Sequence, residues 1–151
     1  MKIDLHCHSQ ASWDSVSDFG SIIRRCKATG IRVQAITDHN EIWGAQTLQK
    51  MTQDDPDLRI IVGEEIYTED GEIIGLYLQE RIPPGLSTLE TINRIKAQEG
   101  LVLLPHPFDK LKRSHLKSAT RESLIDYIDI VEVFNAHISR QHYNQEAQEW
   151  A

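Results

Sequence analysis

Four apolar runs in this 151-residue chain each lead into residues that ligate metals or carry protons. Ile3 and Leu5 lead into His6-Cys7-His8, and Ile31 to Thr37 leads into Asp38-His39. Leu58 to Val62 leads into Gly63-Glu64-Glu65, and Leu101 to Leu104 into Pro105-His106-Pro107. Short apolar runs bounded by Gly, Pro and polar clusters read as strands. Between them lie stretches with helical spacing, and this alternation argues for an α/β fold with a parallel sheet covered by helices. Periodicity alone does not separate a closed (βα) barrel from an open doubly wound sheet. The repeated polar residues at strand ends favour the barrel, whose carboxyl-end rim is where barrel sites form.

Taken in order, the chain reads as one domain over residues 1–151, without repeats or an internal boundary. Ser17 or Asp18 caps a first helix that runs to Thr29 with Phe19, Ile22, Ile23 and Cys26 on one side, and Gly30 stops it. A strand over 31–37 and a helix over about 42–53 follow. A third strand spans 58–67, Asp70-Gly71 makes a turn, and a fourth strand over 73–78 is buried on both faces. Ser87 and Glu90 form a capping box that opens a helix to about Glu99. A fifth strand at 101–104, a basic loop over 109–118, a short helix over 121–127, a sixth strand at 130–134 and a last helix over 139–151 complete the chain.

Apolar residues make up 40% of the sequence, which excludes disorder. A net charge of −7 argues against a nucleic-acid partner held by bulk electrostatics, leaving small nucleotides as the only nucleic-acid ligands in view. No apolar run approaches the roughly 20 residues needed to span a bilayer, so no membrane partner is expected. The first residues enter a strand directly, which reads as the absence of a signal peptide and a cytoplasmic location. Two cysteines, Cys7 and Cys26, make no disulfide framework and are expected to be reduced.

Side chains alternate faces along a strand, so Asp4, His6 and His8 share one face. Their two imidazoles lie about 7 Å apart, close enough to converge on one ion. His39, Glu65 and His106 sit at equivalent strand ends, and Asp14 follows in the first loop. Asp38 is placed to cap a helix or to orient an imidazole. Glu64 points to the other face and reads as structural or surface. Together these residues offer neutral nitrogen and anionic oxygen donors, a mix suited to Zn, Mn or Fe rather than Mg or Ca. Glu65 can bridge two ions, and such a pair supports metal-assisted hydrolysis. No Gly-rich phosphate loop or covalent-nucleophile motif is present. The loop with Lys110, Lys112, Arg113 and His115 offers a cation, Arg113 or a lysine, to pair with a phosphate.

The ordered set Asp-Leu-His-Cys-His-Ser at 4–9, Thr-Asp-His-Asn at 37–40, Gly-Glu-Glu at 63–65 and Pro-His-Pro at 105–107 resembles the PHP (polymerase and histidinol phosphatase) family of metal-dependent phosphoesterases. The resemblance covers essentially the whole chain. It implies a distorted barrel of about seven βα units, a (βα)7-type PHP barrel, with two or three divalent ions. It also implies His6, His8, Asp14, His39, Glu65 and His106 as metal ligands. Two departures stand out. No histidine occurs over 71–79, where Glu72 is the nearest replacement, and the family's late Gly-Ser-Asp-Ala-His type motif is not reached before Ala151. The expectation is therefore a barrel of about six strands, shortened at its C-terminus, whose open edge favours a homo-oligomer. The implied activity is hydrolysis of a small phosphate monoester, such as a nucleotide or sugar phosphate, by a metal-bound hydroxide. Asp38 would assist a ligand histidine and Arg113 would anchor the phosphate. A metal-binding remnant without catalysis and a metal-dependent amide or ester hydrolase are the alternatives.

Overall fold

The computed structural model describes residues 1–112, 114–138 and 140–151; Arg113 and Ser139 lie outside the described residues. The elements in chain order are β1 (Lys2–Asp4), α1 (Phe19–Thr29), β2 (Ile31–Ile36), α2 (Trp43–Met51), β3 (Arg59–Thr68) and β4 (Gly71–Leu76). They continue with α3 (Thr88–Ala97), β5 (Leu101–Leu104), α4 (Ser118–Ser123), β6 (Ile130–Val131) and α5 (His142–Trp150). A 3-10 turn over Ile125–Tyr127 links α4 to β6.

Local chemistry sets both ends of α1 and the start of α3 where the sequence placed them. The Asp18 carboxylate accepts the Ser21 N–H at 2.9 Å and opens α1, and Gly30 closes it in the left-handed region at φ 75°. The Ser87 hydroxyl accepts the Glu90 N–H at 3.2 Å at the start of α3.

The six strands form one sheet in the order β1-β2-β3-β4-β5-β6. The β1–β2, β2–β3 and β5–β6 pairs are parallel, whereas β3–β4 and β4–β5 are antiparallel. The uniformly parallel sheet expected from the sequence is thus corrected at one strand. A parallel connection needs a dozen or more residues, and only Glu69 and Asp70 separate β3 from β4, so the chain must fold back as a hairpin. The sheet curls into a half-barrel. The ends of its outer strands approach closely enough for His6, beyond β1, to meet Glu132, beyond β6, at 3.0 Å. Among the described residues no ladder joins β6 to β1.

Several boundaries also shift. β1 ends at Asp4, so His6 and His8 lie in an extended segment beyond it. That segment is held by the Thr37 N–H donating to the Cys7 carbonyl at 2.9 Å. β6 is only two residues long, and α5 starts at His142. Cys7 and Cys26 are free thiols.

Apolar side chains fill both faces of the sheet. On the helix side Ile36, Leu48, Ile66, Ile73, Ile92, Ile95, Val102 and Leu104 pack together, and burial of each such side chain is worth about 1.5–3 kcal/mol. The inner face carries a smaller cluster of Ala35, Ile61, Ile74, Leu76 and Leu103. Alternation along β3 and β4 puts Glu65 on the Ile61 face and Glu72 on the Ile74 face, so both carboxylates stand directly above this inner plug.

Gly71 fixes one further approach. Its φ is 138°, and a Cβ there would lie 2.6 Å from Leu116 Cα and 2.7 Å from the His115 carbonyl. The second half of the basic loop therefore crosses over β4, where the Glu72 N–H donates to the Ser114 carbonyl at 2.8 Å.

Candidate metal centre

Four imidazoles and two further carboxylates gather around Glu65. Its Oε2 lies 3.3 Å from His6 Nε2, 3.0 Å from His8 Nε2 and 3.4 Å from His39 Nδ1. Its Oε1 lies 3.0 Å from His106 Nε2. His8 Nδ1 meets both Asp14 oxygens at 3.0 and 3.1 Å, and His39 Nε2 lies 3.5 Å from Asp14. Glu72 completes the group, 3.3 Å from His106 Nε2 and 3.9 Å from His39 Nδ1.

Backbone pairing brings these side chains into register. His39 and Glu65 form a parallel bridge, in which the Glu65 N–H donates to Asp38 and the Asn40 N–H donates to Glu65. The chain then turns sharply at two donor-bearing strand ends. Asn40 (φ 53°) and His106 (φ 56°) both adopt the left-handed region, which costs a non-glycine residue about 1–2 kcal/mol. Pro105 and Pro107 stiffen the second turn. Arg121 anchors it, donating from Nη1 to the Pro107 carbonyl at 2.6 Å while its guanidinium lies over Phe108 at 4.4 Å and Trp150 at 5.3 Å.

Charge within the cluster is strongly coupled. Burial alone would raise the Glu65 carboxyl, but hydrogen bonds from His106 and His6, with the His8 imidazole close by, hold it well below the usual carboxylate range. Burial opposes protonation of His6, yet Glu132 and Glu65 overcome it and push that imidazole up to about 10. Burial and the Glu65 charge raise Glu72. Burial lowers His39, which favours the neutral ring that a metal requires.

The donor set fits divalent cations. Buried His8 Nε2, His39 Nδ1 and Glu72 Oε1 make no hydrogen bond, an expensive condition that ion ligation would relieve. Three overlapping triads each bring their ligand atoms within 4.8 Å of one another: His6, His8, Glu65; His8, Asp14, His39; and His39, Glu65, Glu72. His8, His39 and Glu65 are each shared by two triads, the arrangement expected of adjacent ions. Mixed imidazole and carboxylate donors suit Zn, Mn or Fe.

Five of the six expected ligands, His6, His8, Asp14, His39 and Glu65, enter these triads. His106 adjoins them through Glu65 and Glu72, and its Nε2 also lies 2.8 Å from Lys112 Nζ. Asp38 is buried and accepts the Ser9 N–H at 2.6 Å and the Ser9 hydroxyl at 2.7 Å, so its hydrogen bonds tie the first motif to the second instead of reaching an imidazole. Of the basic loop, Lys112 reaches the site, 3.3 Å from Glu72 and 3.7 Å from Glu65. Glu64 is fully buried and accepts the Ile82 N–H at 2.9 Å, which makes it a core residue and not a surface one. Sequence reasoning missed Glu132, which fixes His6 from the far side of the sheet, and Ser12. The Ser12 hydroxyl donates to Asp14 at 2.6 Å and accepts the His39 N–H at 3.2 Å. From the sequence Glu132 falls inside the strand expected over 130–134, and only the shorter β6 of the structure leaves it at the rim.

The PHP domain family model matches residues 4–150. An uncharacterized protein of Methanocaldococcus jannaschii is 43% identical over 148 residues, covering 91% of this chain and 83% of its own length. Among solved structures, a two-domain Bacteroides vulgatus protein containing a predicted PHP-like metal-dependent phosphoesterase superposes with a TM-score of 0.79 at 18% identity. The match takes in 99% of this chain and 48% of that one, so the chain spans about half of that protein. An amidohydrolase from Chromobacterium violaceum with bound sulfate superposes at a TM-score of 0.65 and 16% identity, over 88% of this chain and 77% of that one.

Proposed function

This chain belongs to the PHP domain family, and from that premise we propose that it is a metal-dependent phosphoesterase acting on a small phosphate monoester of the nucleotide or sugar-phosphate class. The observation that carries the reading is the set of three donor triads sharing His8, His39 and Glu65 at the rim of the curled sheet. His6, His8, Asp14, His39, Glu65 and Glu72 would hold the ions, with His106 beside them. Bound there, divalent ions would supply Lewis acidity toward a phosphoryl oxygen and a more acidic water.

The remaining residues act on position and charge. Glu132 faces His6 Nδ1 and leaves Nε2 directed at the centre, fixing the ring's orientation. Asp38 and Ser9 lock the His8 and His39 segments together. Lys112 brings a positive charge to the rim of an otherwise acidic protein, where it would draw in a phosphate, and Arg113 is proposed as a second anchor. No helix among the described residues is long and apolar enough to cross a membrane, and the proposed setting is the cytoplasm.

The test is a panel of p-nitrophenyl phosphate, p-nitrophenyl acetate and p-nitroacetanilide, assayed with added Mn, with chelator, and in His8→Ala and Glu65→Ala variants. Phosphate release that falls more than roughly 100-fold in both variants and with chelator is expected. Retained activity in both variants would defeat the assignment. Turnover of the amide or acetate alone would move the reading to amide or ester hydrolysis, and metal binding without any turnover would make this a binding domain.

A further inference from the structure

Trp13 is 78% exposed, although it lies between Ser12 and Asp14, two residues tied into the metal centre. Its indole stacks on His39 at a centroid distance of 5.7 Å and an interplanar angle of 19°. Tyr67 stacks on the same imidazole at 4.8 Å and 15°. Trp13 and Tyr67 therefore both lie near-parallel to the His39 ring, and the Trp13 ring is left largely to solvent. Leaving a large aromatic ring in water forgoes burial of 150–250 Å² of surface.

The platform is also held in place. The Ser12 N–H donates to Ser9 at 3.0 Å and the Ser15 N–H to Ser12 at 3.2 Å, forming a tight turn around Trp13. Ser12 itself is buried and bonded to both Asp14 and His39. His39 contributes to two of the three donor triads. A planar ring added to the outer face of Trp13 would lie one ring layer, about 4.5–7 Å, beyond an indole already in contact with a metal-ligand imidazole.

We propose that Trp13 is a stacking platform for the base of a nucleoside phosphate whose phosphate enters the adjacent metal centre. The phosphate half of this inference rests on the phosphoesterase reading; the base half rests on the ring stack. Stacking of one base on an aromatic side chain is worth about 1–3 kcal/mol, a factor of roughly 5–150 in affinity. It selects for a flat heteroaromatic ring and against phosphates that lack one.

The experiment compares AMP with ribose 5-phosphate by calorimetry on Mn-loaded protein, in wild type, Trp13→Ala and Trp13→Phe. The ratio of AMP to ribose 5-phosphate affinity is expected to fall roughly 5–150-fold in Trp13→Ala and to be largely kept in Trp13→Phe. A 5′-phosphorylated adenosine trinucleotide run beside AMP separates a free nucleotide from a strand end, and dependence of either on Trp13 supports the stack. A ratio unchanged in Trp13→Ala overturns the proposal, as does a wild-type protein that binds neither compound. Phosphate release is measured on the same samples. If no ester is hydrolysed and the ratio still falls, the platform stands and the phosphoesterase reading fails. If esters are hydrolysed and the ratio does not move, the platform fails and the phosphoesterase reading stands.

Discussion

Gly44→Ala separates helix propensity from packing at the metal centre by the sign of its effect. Gly44 and Gly20 are each the second residue of a helix, α2 and α1 respectively. Propensity alone makes Gly→Ala stabilising by up to about 1 kcal/mol at either position. At Gly20 a new Cβ would meet the end of the flexible Arg24 side chain at 3.2 Å and the capping Asp18 carboxylate at 3.3 Å, contacts relieved by a few tenths of an ångström. At Gly44 it would lie 2.3 Å from Asp38 Oδ2, 2.6 Å from Ser9 Oγ and 2.7 Å from Ala11 Cβ. Ordinary contact needs about 3.5–4 Å, so Asp38, Ser9 or the helix must move by about 1 Å. The groups that must move are joined by the two bonds of 2.6 and 2.7 Å that link the first motif to the second. Hydrogen bonds to charged groups are worth about 1.5–3 kcal/mol each. Losing one or both, less the propensity gain of about 1 kcal/mol, gives a net destabilisation of about 0.5–5 kcal/mol. Because Ser9 follows His8 and Asp38 precedes His39, Mn affinity should also fall about 10-fold or more. Urea denaturation of the metal-free variants, with Gly20→Ala as the propensity control, reads the first effect, and Mn titration reads the second. A Gly44→Ala protein as stable as Gly20→Ala, with unchanged Mn affinity, would refute the reasoning.

Three further substitutions probe other parts of the structure. Arg121→Lys keeps the charge but cannot reproduce the planar contacts with Phe108 and Trp150, so urea denaturation should show a loss of about 1–3 kcal/mol. Burial raises Glu64 to about 7, well above its unfolded value, so the folded state is increasingly penalised as pH rises from about 4.5 to about 7. Metal-free Glu64→Gln should therefore gain up to about 3 kcal/mol on wild type at pH 8 and nothing at pH 4, as measured by denaturation across pH. Lys112→Met removes an ammonium that lies 3.3 Å from Glu72 and 3.7 Å from Glu65 and competes with a cation there, so calorimetry should show tighter Mn binding.

The donors were legible in the sequence because strand chemistry is local. A residue that ends an apolar run carries its side chain to the rim, and alternation separates Glu65 from Glu64. What that alternation could not show is that the Glu64 face is buried too. A sheet packed on both sides has no solvent face, so the alternative to the inner face is the helix-covered core. The reversal at β4 was signalled by Asp70-Gly71, but a turn dipeptide does not reveal which strand it returns the chain beside. Glu132 was illegible for a different reason. Its contact with His6 spans 126 residues and depends on how far the sheet curls, a global property that no short stretch encodes. A cation of the basic loop, Arg113 or a lysine, was read as a phosphate partner from its charge alone, and the approach of Lys112 to Glu72 depends on the basic loop crossing β4 at Gly71.

Metal content is the most direct test of a multinuclear centre built on Glu65. Wild-type and Glu65→Ala proteins would be loaded with Mn, desalted and analysed for bound metal per chain. Wild type should retain at least two ions, and Glu65→Ala no more than one, because two of the three donor triads include Glu65. One ion or none in wild type, or the same count in both proteins, would contradict the centre described here.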